Sequence, residues 1–366
     1  MADPDFRTKS GEQCQCGDCD FIRRELIPEM VHDRRFCESG SREFVESDSV
    51  DVEHLDGMRD YTTKLYRVTA RVKFSGEPYN FPLVIKLPKA DAASPPSSSF
   101  QNEEMFYSKM TLEYGTDGIP KCYLSDLGRY GRPVIVLEDL IARGYAHVND
   151  KLDEDHLKLC VKALATFHGR GLSLKARKFP IFREFYAKLS VPDSLYSVQH
   201  MLGASIYLSF ASLESNLVEK IKKKLHVMES LATEINDVSI VCHGHFTRDN
   251  VLFKYESGKP SDVKMIDWET MRYCSPAIDF GLILFTNISD ESEPSKVEAF
   301  CRNILRLYLD TVKEEYPEVE HELLERDIIA KLLLAYISLC DDGPIRITYE
   351  ELGRMLRVLD GLGSFD

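Results

Sequence analysis

Two short apolar runs in the second half of the chain, residues 239–242 and 263–266, each end in a polar cluster. The first leads into His243, Gly244, His245, Asp249 and Asn250, and the second into Asp267, Trp268 and Glu269. Short apolar runs of this kind read as buried strands. An asparagine and an aspartate carried on neighbouring strand ends offer the oxygen ligands that a hard cation takes. The set therefore suits a metal-bound polyphosphate.

Such loops need a rigid frame, and upstream the chain supplies strands. Residues 65–74, LYRVTARVKF, alternate cleanly, with Tyr66, Val68, Ala70, Val72 and Phe74 on one face and Arg67, Thr69, Arg71 and Lys73 on the other. A turn over residues 75–80 leads to an antiparallel partner at 81–87, in which Val84 and Lys86 share a face. A lysine on a strand, taken alone, reads as a solvated edge residue. Residues 132–140 form a further apolar strand ending in Leu-Glu-Asp-Leu. Before these strands, Ile22, Leu26, Ile27, Met30 and Val31 fall at helical spacing, so a short amphipathic helix is expected over residues 21–35. In the second half, Leu157, Cys160, Val161, Leu164 and His168 make one face of a core helix, on which His168 reads as a packing residue rather than a catalytic one. Residues 172–237 read as helical and rich in aromatics, and three more amphipathic helices are expected near 294–315, 320–341 and 348–361.

Read together, HGHFTRDNVLF and MIDWETMRYCSPAIDF resemble the ecdysteroid kinase-like family, also called CHK kinase-like, a branch of the choline and aminoglycoside kinase group. The resemblance covers about residues 50–345. It implies an α+β, bilobal, protein-kinase-like fold: a small N-terminal antiparallel β-sheet lobe with one helix, and a larger, mainly helical C-terminal lobe. The implied boundaries are a tail and short helix at 1–49, the N-lobe at 50–137, a hinge at 138–140 and the C-lobe at 141–366, with a helical substrate-pocket insert at 172–237.

The same resemblance implies ATP and Mg2+ as cofactors and assigns roles by position. Lys86 in Leu-Val-Ile-Lys orients the α- and β-phosphates, and Glu103, in the matching Phe100-x-x-Glu-x-x-Phe-Tyr107, is its ion-pair partner, with Glu104 facing solvent. Val84 roofs the adenine, Leu137 lies behind it, and the backbone of Glu138 and Leu140 bonds its edge. Gly57 opens a flap over residues 57–63. Asn250 and Asp267 hold the metal, Asp279 supports the catalytic loop, and Glu269 is either a further metal-side ligand or an exposed carboxylate.

One position departs from the pattern. The family's first motif runs His-Gly-Asp, four residues, Asn; this chain matches at His243, Gly244 and Asn250 but has His245 at the catalytic aspartate. A neutral imidazole can accept a proton, although it is bulkier than a carboxylate and lacks its charge, and Asp249 is the nearby carboxylate that could stand in. Two functions are therefore open. One is a transferase moving the γ-phosphate of ATP to a hydroxyl of a small acceptor, ecdysteroids being the family's named example. The other is a pseudokinase acting through nucleotide or partner binding.

Composition sets the outer bounds. The 366 residues are 43% hydrophobic, enough for a large core in two lobes. The net charge of −14 argues against nucleic-acid or anionic-membrane partners. No apolar window is long enough to span a bilayer, and residues 1–13 show no basic stretch followed by an apolar core, so a cytoplasmic protein is expected. The ten cysteines are scattered through core-like runs as buried thiols would be. Cys14, Cys16 and Cys19 are clustered, and read either as a loosely packed tail or as a zinc site completed by Cys37 or His32.

Overall fold

Alternation in residues 63–74 becomes the second strand of an antiparallel sheet in the computed structural model, which describes residues 16–55, 63–89, 96–190, 209–288, 293–341 and 348–366. Two units are distinguished. One comprises Met1–Ser108 and Pro120–Arg143, the other Lys109–Ile119 and Gly144–Asp366.

The first unit is built on five strands, β1 (Val45–His54), β2 (Thr63–Phe74), β3 (Glu77–Pro88), β4 (Cys122–Asp126) and β5 (Val134–Glu138), in the order β1-β2-β3-β5-β4. Tyr66, Val68, Ala70 and Val72 are buried as the alternation requires, and Val68 and Tyr66 lie opposite Leu83 and Ile85 of β3. The turn differs from expectation. It is only two residues long, Ser75 and Gly76, both at positive φ (50° and 94°), the geometry whose twist matches the flanking strands. Residues 77–80 continue the ladder but are exposed, so no apolar alternation marks them. For the same reason β1, whose only buried residue is Val52, is an edge strand of charged and small residues without a sequence signature.

The N-terminal helical segment packs Ile22, Leu26, Ile27 and Met30 into the same core as the sheet. Its α-helical turns Gly17–Phe21 and Ile27–His32 flank a π-turn, Ile22–Leu26, just before Pro28. Proline removes one N–H from the helical ladder, and a π-turn absorbs the break. A second helix, Ser98–Met105, starts where the Ser97 hydroxyl accepts the Phe100 N–H at 3.2 Å.

The second unit is mainly helical. Helix Glu154–Arg177, capped by Asp153, buries Leu157, Cys160, Val161, Leu164 and His168, the face the spacing gave it. Helices Phe179–Tyr186, Ser215–Thr233 and Ala277–Phe285 come next. The last three are Pro294–Glu315, His321–Asp341 and Tyr349–Leu362, close to their expected places. Two strand pairs interrupt them: β6 (Ile240–Cys242) with β9 (Arg272–Cys274), and β7 (Val251–Glu256) with β8 (Lys259–Met265). A five-stranded antiparallel sheet and a mainly helical second unit make this the expected α+β plan. Among the described residues no helix is long and apolar enough to cross a membrane.

Candidate functional site

Lys86 does not lie on an edge. β3 runs between β2 and β5, so the side chain is flanked by neighbours and buried, and its Nζ stands 2.7 Å from both carboxylate oxygens of Glu103. Taking two charges out of water costs several kcal/mol per ion, and their attraction does little more than offset it. Such a pair is therefore better explained by what it positions than by what it stabilises. Val84, half-buried two residues earlier, lies directly opposite Leu137 of β5. Glu104 is not solvent-facing as expected: it is buried, because its helix packs toward β4, where the Ser125 hydroxyl donates to the Glu104 carbonyl at 3.1 Å.

The 138–140 segment is fixed by a residue to which sequence reasoning gave no role. The buried Asp139 donates its N–H to the Pro82 carbonyl at 3.0 Å. Its carboxylate accepts from Arg67 Nε at 2.8 Å and from the Ile141 N–H at 2.9 Å. Glu138 is tied to Lys121 by its own N–H and by its carboxylate, and Leu140 is buried. A carboxylate beside an apolar strand end was the available signal; its arginine partner lies two strands away, on β2 across β3. Gly57 lies outside the described residues.

In the second unit, β6 carries the chain into His243, Gly244 and His245, and a single buried carboxylate holds that turn. Asp279 Oδ2 accepts the His243 N–H at 2.6 Å, and Oδ1 accepts the Gly244 N–H at 2.8 Å. His168 Nε2 reaches Oδ2 at 3.2 Å, and its Nδ1 faces the Tyr308 hydroxyl at 2.7 Å. The Asp279 carboxylate can only accept, so Nε2 carries a proton and donates to it, and in the neutral ring Nδ1 accepts from the Tyr308 hydroxyl, whose pKa burial raises far above its ordinary range. Burial also works to raise Asp279, but these donors outweigh it and hold the carboxyl below its usual range. His243 Nε2 donates to the Ile266 carbonyl at 2.9 Å, which assigns its tautomer, and burial keeps the ring neutral. Gly244 has φ 90°, and a Cβ there would lie 2.0 Å from the Thr270 carbonyl oxygen. No other residue fits.

The two polar clusters meet at the open end of the β7–β8 hairpin. Val251 pairs with Met265, and the Ile266 N–H donates to the Asn250 carbonyl at 3.0 Å, so Asn250 and Asp267 flank one hydrogen bond. Asn250 donates from Nδ2 to the His245 carbonyl at 2.9 Å. Because that partner can only accept, the amide orientation is settled and Oδ1 is the atom left for a ligand. Asp267 sits in the left-handed region (φ 69°, ψ 64°), which costs a non-glycine residue roughly 1 kcal/mol. Strain of this kind is characteristic of functional positions.

The neighbours are placed less centrally. Asp249 is exposed, with its carboxylate 3.8 Å from Arg248, and Glu269 is half-buried. Trp268 is fully buried, with its ring 4.6 Å from His243 and 4.8 Å from Phe167. His168, Cys242 and Asp279 are gathered within 4.8 Å of one another, but both His168 nitrogens and both Asp279 oxygens are committed to hydrogen bonds, so this is a structural knot. Cys14 lies outside the described residues, and among those described no third metal-ligating side chain joins Cys16 and Cys19. His32 is exposed.

The model of the ecdysteroid kinase-like family matches residues 57–317, well over half of the chain. No curated protein matches in sequence. Three of the similar solved structures serve as examples. A Plasmodium vivax ethanolamine kinase is 15% identical, covering 85% of this chain and 82% of its own at a TM-score of 0.46. A choline kinase from Cryptosporidium parvum is 11% identical, covering 92% and 94% at 0.46. The GDP complex of an aminoglycoside 2'-phosphotransferase is 14% identical, covering 93% and 99% at 0.42. These likenesses are weak beside the family match.

Proposed function

The chain belongs to the ecdysteroid kinase-like family, with its protein-kinase-like fold, and on that footing we propose that it is an ATP-dependent phosphotransferase acting on the hydroxyl of a small molecule. The observation that carries this reading is the commitment of Asn250 Nδ2 to the His245 carbonyl, which leaves Oδ1 for a hard cation, on backbone bonded to Ile266, the residue just before Asp267. The donor set fits magnesium: one amide and one carboxylate oxygen, on backbone pinned by the hairpin. Bound there, the ion supplies neutralisation of phosphate charge.

The remaining work falls to the chain's own groups. Lys86, held by Glu103, is a fixed cation suited to the phosphates of ATP. The 138–140 segment, clamped by Asp139, offers backbone for the adenine edge. Asp279 and His243 fix the loop that presents His245. Ecdysteroids, the family's namesake acceptors, are the first compounds to test. The reading implies a cytoplasmic protein, with ATP at hand.

One observation favours the second reading, a pseudokinase. Asn250 Nδ2 also lies 3.5 Å from His245 Nδ1. In the neutral tautomer that accepts this contact, Nε2 carries the proton and cannot take one from a substrate. A general base contributes about 10²- to 10⁴-fold. Phosphate transfer from labelled ATP to hydroxylated acceptors, measured for the unaltered chain, His245→Asp and Asp267→Ala, separates the readings. Transfer that rises in the first variant and vanishes in the second supports a kinase with a weakened base. Absence of transfer from both the unaltered chain and His245→Asp, with nucleotide still bound by each, supports the pseudokinase.

A further inference from the structure

Cys16 and Cys19 bracket Gly17 and Asp18 at the start of the N-terminal helical segment, and their sulfurs lie 3.2 Å apart as a thiol–thiol hydrogen bond. Cys16 is exposed, whereas Cys19 is fully buried. A disulfide requires about 2.05 Å between sulfurs, so closure needs a movement of only about 1 Å. We propose that these residues form a redox modification site, a dithiol that closes reversibly to an intramolecular disulfide, with Cys16 the attacking sulfur and Cys19 the resolving one.

The intervening residue holds the pair in place. Asp18 accepts from Lys64 Nζ at 2.8 Å, Tyr66 Oη at 2.7 Å and Arg132 Nη1 at 2.6 Å, which ties this turn to β2 and to the residues just before β5. Two sulfurs on an anchored turn meet without searching, unlike thiols free to drift apart. Cys160, Cys242 and Cys301 are buried. Burial raises the Cys160 and Cys242 thiols and pushes Cys301 up to about 12, which keeps all three as inert thiols.

With glutathione disulfide as oxidant the chemistry balances in two exchanges. Cys16 sulfur attacks the glutathione disulfide, forming a mixed disulfide and releasing one glutathione. Cys19 sulfur then attacks Cys16 sulfur, closing the protein disulfide and releasing the second. The two thiol protons leave on the two glutathiones, and the protein is oxidised by two electrons as the glutathione disulfide is reduced.

The test equilibrates the full chain with graded ratios of glutathione to glutathione disulfide, quenches in acid, alkylates the free thiols and maps the peptides by mass spectrometry. The expected product is a Cys16–Cys19 link that forms before Cys37, Cys160, Cys242 or Cys301 reacts and is reversed by dithiothreitol. A Cys19→Ser chain then accumulates glutathione on Cys16, while a Cys16→Ser chain leaves Cys19 unmodified, and Cys14→Ser forms the same link as the unaltered chain. Cys16 and Cys19 both remaining reduced in the most oxidising mixture overturns the proposal, as does a link in which Cys14 replaces either of them.

Discussion

The Gly244 N–H donates to Asp279 Oδ1 at 2.8 Å, joining a turn that only glycine can make to a carboxylate 35 residues later in the chain. The same carboxylate takes the His243 N–H and His168 Nε2, so one buried side chain satisfies three donors. What fixes the candidate catalytic loop is a buried polar network.

Asp279→Ala leaves two buried amide N–H groups and the His168 N–H without an acceptor. At about 1–3 kcal/mol for each unsatisfied group, the variant is expected to lose at least about 3 kcal/mol of stability in urea denaturation. Gly244→Ala, which meets the Thr270 carbonyl oxygen at 2.0 Å, is expected to lose about 2–4 kcal/mol. A loss below about 1 kcal/mol in both would contradict the role given to the network.

Lys86→Met takes away the ammonium that meets both oxygens of the buried Glu103, and Glu103→Gln takes away the charge that meets Lys86. Each single change is expected to destabilise by about 3–5 kcal/mol, while the double variant, in which both charges are gone, recovers much of that loss. Chemical denaturation of the four chains gives the coupling directly. Strictly additive losses would mean that the 2.7 Å pair seen here does not act as a pair.

Asp18 gives an acid-side prediction. Burial works to raise it, but bonds from Lys64, Tyr66 and Arg132 prevail and bring it from an ordinary 3.8 down to about 2. A carboxyl depressed on folding contributes stability above its ordinary value, and the contribution is lost as pH falls from about 4 toward 2. Asp18→Asn is expected to be less stable than the parent at pH 7 by about 1.5–3 kcal/mol, with the two melting curves converging near pH 2. A gap unchanged between pH 7 and pH 2 would show that the carboxylate's charge is not the source.

Burial decides which parts of the fold are legible in the chain. Strand β2 and helix Glu154–Arg177 can be read because one face is buried and the other wet, which writes period 2 or 3.6 into the residues. Strand β1 and the start of β3 cannot, because exposed ladders leave no apolar pattern. Lys86 and Glu103 are legible only as a pair found through the family resemblance, since each alone reads as a surface charge. Asp139 and Asp18 escape notice because their partners lie 72 and between 46 and 114 residues away. Glu104 is misjudged because helical spacing alone does not say that β4 covers its side of the helix.

The central claim, a magnesium-nucleotide site that includes Asn250 and Asp267, is tested most directly by thermal unfolding of the unaltered chain and of Asp267→Ala, with and without ATP and magnesium. A ligand at about 100 times its dissociation constant adds about 2.7 kcal/mol to the folded state, a shift of a few degrees. The expected result is a magnesium-dependent upward shift in the unaltered chain that is lost in Asp267→Ala. An unaltered chain that melts at the same temperature with and without magnesium and ATP would contradict the claim.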